Sequence, residues 1–192
     1  ILLLVASYIF YMMSYWKYAW VLAFSTVLDY SLGLAIEATQ DQVKRKRWLI
    51  LSIFSNLNIL AFFKYFNFFA AETEALLGLL GIKTAPIFLD VVLPAGISFY
   101  TFQSMSYTID VYRREIKAEK SLLRYAVFVS LFPQLVAGPI VRGRDFLPQL
   151  SVHQKISMGD LRLGWSLIFL GIAKKVLIAD QLAYLGVDHI FD

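Results

Sequence analysis

The sequence contains no cysteine and only two histidines among its 192 residues. The first absence excludes a disulfide framework, a cysteine-based zinc site and a thiol nucleophile within these residues. Proline is scarce, at five residues, and charged residues make up only 17% of the chain. No HExxH, Walker loop, GxSxG or GxGxxG sequence is present, so the usual signatures of zinc proteases, phosphate-binding loops, hydrolase elbows and dinucleotide domains are missing. The net charge of +4 is modest, and no nucleic-acid partner and no metal site are expected.

What is present is apolar. The chain is 59% hydrophobic with a mean hydropathy of +0.63, against roughly 45–50% apolar residues in soluble domains. The excess falls in long runs, which indicates an integral membrane protein whose first partner is the lipid bilayer. Ile1–Trp16 is short for a crossing, which takes about 20 residues. Tyr18–Ile36 can span, with one charge at Asp29. Glu37–Arg47 reads as a polar loop ending in Lys44, Arg45, Lys46 and Arg47. Trp48–Phe69 is the next span, interrupted by Asn56, Asn58 and Lys64, and Ala70–Asp90 is mixed, with an apolar patch at Leu76–Leu80 that suggests a surface helix. Val91–Tyr112 is a span, Arg113–Lys120 is charged, and Tyr125–Val141 is apolar but broken at Pro133 and Gly138–Pro139. Arg142–Asp160 is polar, Leu161–Ile178 amphipathic, and Leu182–Phe191 reads as the start of another helix. The expected fold is all-α: a polytopic transmembrane helical protein with re-entrant or broken helices. Because the chain opens without Met inside an apolar run, residues 1–192 are expected to be part of a single membrane-embedded domain, truncated at both ends.

Charge suggests a topology. Lys and Arg exceed acidic residues in Glu37–Arg47 and Arg113–Lys120, whereas Ala70–Asp90 holds Glu72, Glu74 and Asp90 against Lys83. The positive-inside rule places the first two loops in the cytoplasm and the third outside. Arg142–Lys155 is basic again, so the broken Tyr125–Val141 segment is expected to dip in and return. Irregular backbone at that depth needs protein or a water-filled cavity around it.

The polar groups concentrate between Leu93 and Arg142. Gln103, Tyr107 and Asp110 fall at i, i+4 and i+7, which puts them on one helical face. Ser98, Tyr100 and Ser106 add hydroxyls, and Arg113, Gln134 and Arg142 add further polar groups. These residues are candidates for the wall of a substrate chamber. The competing reading is interhelical hydrogen bonding, which polar side chains supply in bilayers, with Asp110 and Arg113 as a surface ion pair. Asp29 is an intramembrane carboxylate and therefore suspect, although its place near the cytoplasmic end of its helix would let it reach water. Asn56 and Asn58 read as helix–helix contacts, and Lys64 can snorkel. His153 sits in a polar loop and His189 beside Asp188; neither reads as catalytic.

LPAGISFYTFQSMSYTIDVYR at Leu93–Arg113 and FPQLVAGPIVR at Phe132–Arg142 resemble the membrane-bound O-acyltransferase family, and specifically its bacterial alginate O-acetylation and D-alanyl-lipoteichoic acid branch. FFKYFNFF at Phe62–Phe69 and GIAKKVLIAD at Gly171–Asp180 resemble the same branch. The resemblance implies a polytopic fold around a buried chamber, in the bacterial cytoplasmic (inner) membrane. It implies transfer of an acetyl or similar acyl group to hydroxyls of an exported polysaccharide, alongside other cell-envelope acylation proteins. No bound cofactor is implied; the acyl donor, an acyl-CoA or an acyl carrier, is a co-substrate. The family's hallmark histidine lies in a WHG-type sequence that these residues do not contain, so no catalytic residue is assigned here and the base is expected beyond Asp192. The residues alone leave two other functions open: a transporter or channel for a small polar solute, which also uses broken helices and midplane polar groups, and a non-catalytic membrane scaffold.

Overall fold

A computed structural model describes residues 1–79, 81, 94, 96–152 and 156–183. The described residues are helical and contain no strand. They divide into two compact units, the first being Ile1–Val152. Its elements are α1 (Leu2–Tyr15), α2 (Ala19–Ala38), α3 (Gln42–Leu79), α4 (Ile97–Tyr112), α5 (Leu122–Ser130), α6 (Phe132–Ala137) and α7 (Gly143–Phe146), with a 3-10 turn at Leu147–Ser151. The second unit holds α8 (Met158–Lys174), a π-helical turn at Lys175–Ala179 and a last helical turn at Asp180–Leu182.

The first unit buries many polar side chains beside an apolar core that includes Leu22, Ile36, Tyr107, Tyr125 and Phe128, and it leaves large apolar side chains exposed. Asp29, Arg45, Ser52, Asn56, Thr101, Gln103, Ser104, Thr108 and Asp110 are buried, while Trp20, Phe24, Phe54, Leu57, Phe62, Phe68 and Phe69 are exposed. A helical body with polar groups in its interior and an apolar exterior suits hydrocarbon, where backbone and side-chain polar groups must find partners within the protein. Trp16–Ala38 and Gln42–Leu79 are each long and apolar enough to cross a membrane. At 38 residues, α3 is about 57 Å long, nearly twice the hydrocarbon thickness.

That length corrects two boundaries. The basic run Lys44–Arg47 lies inside α3 rather than in a loop, and Ala70–Leu79 continues the same helix. The helix begins where the Asp41 carboxylate accepts the Val43 backbone N–H at 2.8 Å, the geometry of an N-cap. Residues 82–93 and 153–155, with His153, and residues 184–192, with His189, lie outside the described residues.

The apolar run after Lys120 is broken as its prolines require. Helix α5 stops at Ser130, Leu131 leaves helical geometry, and α6 restarts with Pro133 in its first turn. Pro133 has no N–H to give to the carbonyl four residues earlier. Gly138 then leaves the helix in an extended conformation.

The two basic segments meet at one end of this unit. The Glu37 carboxylate accepts the Ala118 N–H, and Gln42 Nε2 donates to the Tyr112 hydroxyl at 3.1 Å. A single cysteine at Gln40 and another at Lys117, in a protein with any cysteines outside these residues replaced, should therefore share one labelling pattern. Both should react with an impermeant maleimide only after the membrane is opened; labelling of either in intact cells would reverse the topology.

In the second unit, Ser157 and Asp160 form a reciprocal capping box that starts α8. Leu161, Leu163, Trp165, Leu167, Ile168, Phe169, Leu170 and Ile172 are all exposed, so this helix is apolar on every side rather than amphipathic.

Candidate functional site

Helix α4 carries most of the candidates, and the fold draws them inward. Tyr100, Gln103, Tyr107 and Asp110 are buried, Ser98 is half-buried, and Arg113 is exposed. The shared face inferred from the spacing of Gln103, Tyr107 and Asp110 is present, but each of the three has a different environment.

Gln103 lies against the break. Its Nε2 donates to the Phe128 carbonyl at 2.6 Å and lies 3.3 Å from Gln134 Oε1. In an unbroken helix that carbonyl would accept the N–H of Phe132. Here the Phe132 N–H donates instead to Ser7 Oγ at 3.2 Å. One side chain from α4 and one from α1 thus satisfy the Phe128 carbonyl and the Phe132 N–H, two of the backbone groups freed by the break, as irregular backbone away from water requires. Gln103→Leu should leave the Phe128 carbonyl unpaired and cost about 1–3 kcal/mol. Gln103→Glu, which offers a donor only when protonated, should rescue poorly. Thermal unfolding of the purified protein reads both, and an unchanged midpoint for Gln103→Leu would remove this role.

The first of the two signature segments also needs the second at its glycine. Gly96 precedes α4 with φ +73°, and a Cβ there would lie 2.4 Å from the Leu135 carbonyl oxygen of α6. The start of α4 and the α6 backbone therefore touch at a spot that only glycine permits. The LPAGISFYTFQ and FPQLVAGPIVR segments are thus two sides of one contact, closed by Gly96 on Leu135 and by Gln103 on Phe128 and Gln134.

Tyr107 occupies the centre of the aromatic core, with its ring 4.7 Å from Tyr125 and 6.2 Å from Phe128. Its hydroxyl accepts the Glu119 N–H at 2.9 Å. A Cβ on Gly33 would approach its ring to 2.8 Å, so α2 passes against the face of this tyrosine. Asp110 is buried with Oδ2 unpartnered among the described residues. Arg113 does not pair with it: the guanidinium lies 3.8 Å from Glu115, because α4 ends in a turn with Arg114 at φ 62°. Gln134 is half-buried at the break, and Arg142 is exposed at the N-terminus of α7.

Two further groups bind α2, α3 and α4 together. Asp29 of α2 is fully buried and does not reach water. Its carboxylate accepts Ser52 Oγ at 2.6 Å and Asn56 Nδ2 at 2.9 and 2.8 Å, and Ser52 Oγ is also 3.1 Å from Thr108 Oγ1. Asn58 makes no such contact; it is exposed and donates to Phe54 of its own helix. Arg45 is buried at the other end. Its Nε donates to the Ile36 carbonyl at 3.1 Å, and one terminal nitrogen lies 2.7 Å from the Tyr112 carbonyl and 3.4 Å from that of Val111. One guanidinium thereby caps the C-terminal ends of both α2 and α4, where the helix dipoles favour a cation.

The whole chain aligns with known proteins. It is 40% identical over 194 residues to the probable alginate O-acetylase AlgI of Pseudomonas aeruginosa, a match covering 100% of this chain and 36% of the relative. It is 39% identical to the probable alginate O-acetylase AlgI of Azotobacter vinelandii, covering 100% of this chain and 38% of the relative. A peptidoglycan O-acetyltransferase of Helicobacter pylori is 34% identical over 218 residues, covering 99% of this chain and 40% of the relative. The chain thus spans a little over a third of the length of these relatives. No family model matches, and no solved structure matches. The described residues are helical, and along its whole length the chain is similar to proteins named as alginate O-acetylases and as a peptidoglycan O-acetyltransferase. That likeness is consistent with a piece of a protein of the membrane-bound O-acyltransferase family.

Proposed function

We propose that the protein carrying this chain is a multi-pass enzyme of the bacterial cytoplasmic membrane that transfers an acetyl or similar acyl group to hydroxyls of an exported polysaccharide. The observation that carries this reading is the coincidence of two findings. The likeness to polysaccharide O-acetylases runs the whole length of the chain, and its two signature segments pack on each other at Gly96 and Gln103. A hydroxyl is a weak nucleophile and needs a general base as it attacks a thioester. A water-excluding protein interior also limits hydrolysis of the donor. In this reading the described helices are scaffold and wall, with the broken α5–α6 segment beside the passage, and the donor is an acyl-CoA or an acyl carrier. The acceptor glycan and other envelope acylation proteins are the remaining partners.

The test uses membrane vesicles containing the protein, radiolabelled acetyl-CoA or an acetylated carrier, and the exported glycan. Label should appear on glycan hydroxyls as base-labile ester; its failure to appear with either donor would contradict the proposal. His153→Ala and His189→Ala should each retain substantial transfer, whereas loss of a true base costs roughly 10²–10⁴-fold. A loss of that size at normal membrane level in either variant would make that histidine the base.

A further inference from the structure

The loop after α4 surrounds a basic cavity that the acyltransfer reading does not use. It measures about 490 Å³ and is lined by Lys117, Lys120, Arg124 and Arg144, with Glu119 as its one carboxylate and Gly143, Leu147, Pro148 and Ser151 closing the far side. Glu119 is already matched by Arg124 at 3.5 Å, and Arg144 reaches Glu115 and Asp145 at 3.9 and 3.6 Å. Lys117 and Lys120 are exposed and form no ion pair among the described residues. The cavity therefore has unneutralised positive charge.

The backbone that presents these lysines is fixed. The Ala118 N–H donates to Glu37, the Glu119 N–H to the Tyr107 hydroxyl, and the Tyr30 hydroxyl donates to the Lys120 carbonyl at 2.6 Å. Three side chains of the helical core thus hold three successive residues of the loop. Arg124 is held too, by Glu119 and by the Ser151 hydroxyl. Between the two lining cations Lys120 and Arg124 the chain places Leu122 and Leu123, each 42% exposed, at the start of α5. Cations with exposed leucines beside them offer separate partners to a phosphate and to an acyl chain, which is the arrangement of a basic pocket at headgroup depth. A soluble phosphate would leave the leucines unused.

We propose that this cavity binds the phosphate of an anionic phospholipid, whose acyl chains lie along Leu122 and Leu123. The test is titration of the purified protein carrying this chain with phosphatidylglycerol or phosphatidylcholine, read by native mass spectrometry. Lys117→Gln/Lys120→Gln should weaken phosphatidylglycerol binding about 25-fold, from about fivefold per basic residue near a membrane surface, and leave phosphatidylcholine binding unchanged. Neither lysine side chain has an ion-pair partner among the described residues, so the variant should melt like the wild type. Lys44→Gln/Lys46→Gln, at exposed positions of α3, should bind phosphatidylglycerol normally. Three results would overturn the proposal: undiminished binding in the first variant, an equal loss in the second, or displacement of phosphatidylglycerol by excess coenzyme A, which would assign the pocket to a soluble phosphate ligand.

Discussion

Asn56→Leu should destabilise the protein by about 3 kcal/mol, because it strips two hydrogen bonds from a carboxylate that stays buried. Asp29 has no exposure to solvent, and Asn56 contacts both of its oxygens. Leucine fills a similar volume but donates nothing, which leaves the carboxylate to the serine hydroxyls beside it, Ser52 at 2.6 Å foremost. The sharper test is the pair: Asn56→Leu with Asp29→Asn should recover most of the loss, since the second change removes the buried charge that the first left uncompensated. Thermal unfolding in detergent of wild type, both singles and the double gives the full cycle. If the double variant is as unstable as the sum of the singles, Asp29 and Asn56 do not act as one unit.

Gly96→Val should break the contact between the start of α4 and the α6 backbone. Residue 96 has φ +73°, a region that costs a residue with a Cβ roughly 1–2 kcal/mol. The added atom would also lie 2.4 Å from a backbone oxygen of α6, which cannot rotate away as a side chain would. Either α4 or α6 must then move, and Gln103 loses its reach to Phe128. The expected result is loss of transfer activity with a fall in membrane-assembled protein. Gly78→Ala is the matching control, because a Cβ there meets nothing within 4 Å and lies within α3. It should be neutral or slightly stabilising, since Ala is the better helix former. A normal level and normal activity for Gly96→Val would show that α4 and α6 do not meet as described.

The sequence disclosed the helices and the break more clearly than the partners. The membrane-length helices α2 and α3 follow from apolar run length, and the break at Leu131 follows from Pro133, whose chemistry is local. Arg45 was hidden for the opposite reason. Inside a run of four basic residues it has the composition of a solvated loop, and the carbonyls that hold it belong to Val111 and Tyr112, far along the chain. Asp29 was visible as an intramembrane acid, but its donors come from another helix, so local position suggested access to water that the packing denies. Asn56 and Asn58 look alike in sequence. Two positions apart on a helix they face different ways, and only contact with α2 distinguishes them. Gln103 could be placed on the polar face of α4 by spacing, whereas its part in satisfying the broken helix required knowing that α4 lies against α5.

On the proposed function, this helical body, joined at Gly96 and Gln103, belongs to an enzyme that acylates an exported glycan. The most direct measurement is the O-acetyl content of that glycan, by proton NMR, in cells that lack the native gene and receive the wild-type protein, Gly78→Ala or Gly96→Val. The wild type and Gly78→Ala should restore ester acetate, and Gly96→Val should not. The contradictory result is ester acetate that stays constant across all of these cells while uptake of a small polar solute follows the wild-type gene, which would make the protein a transporter.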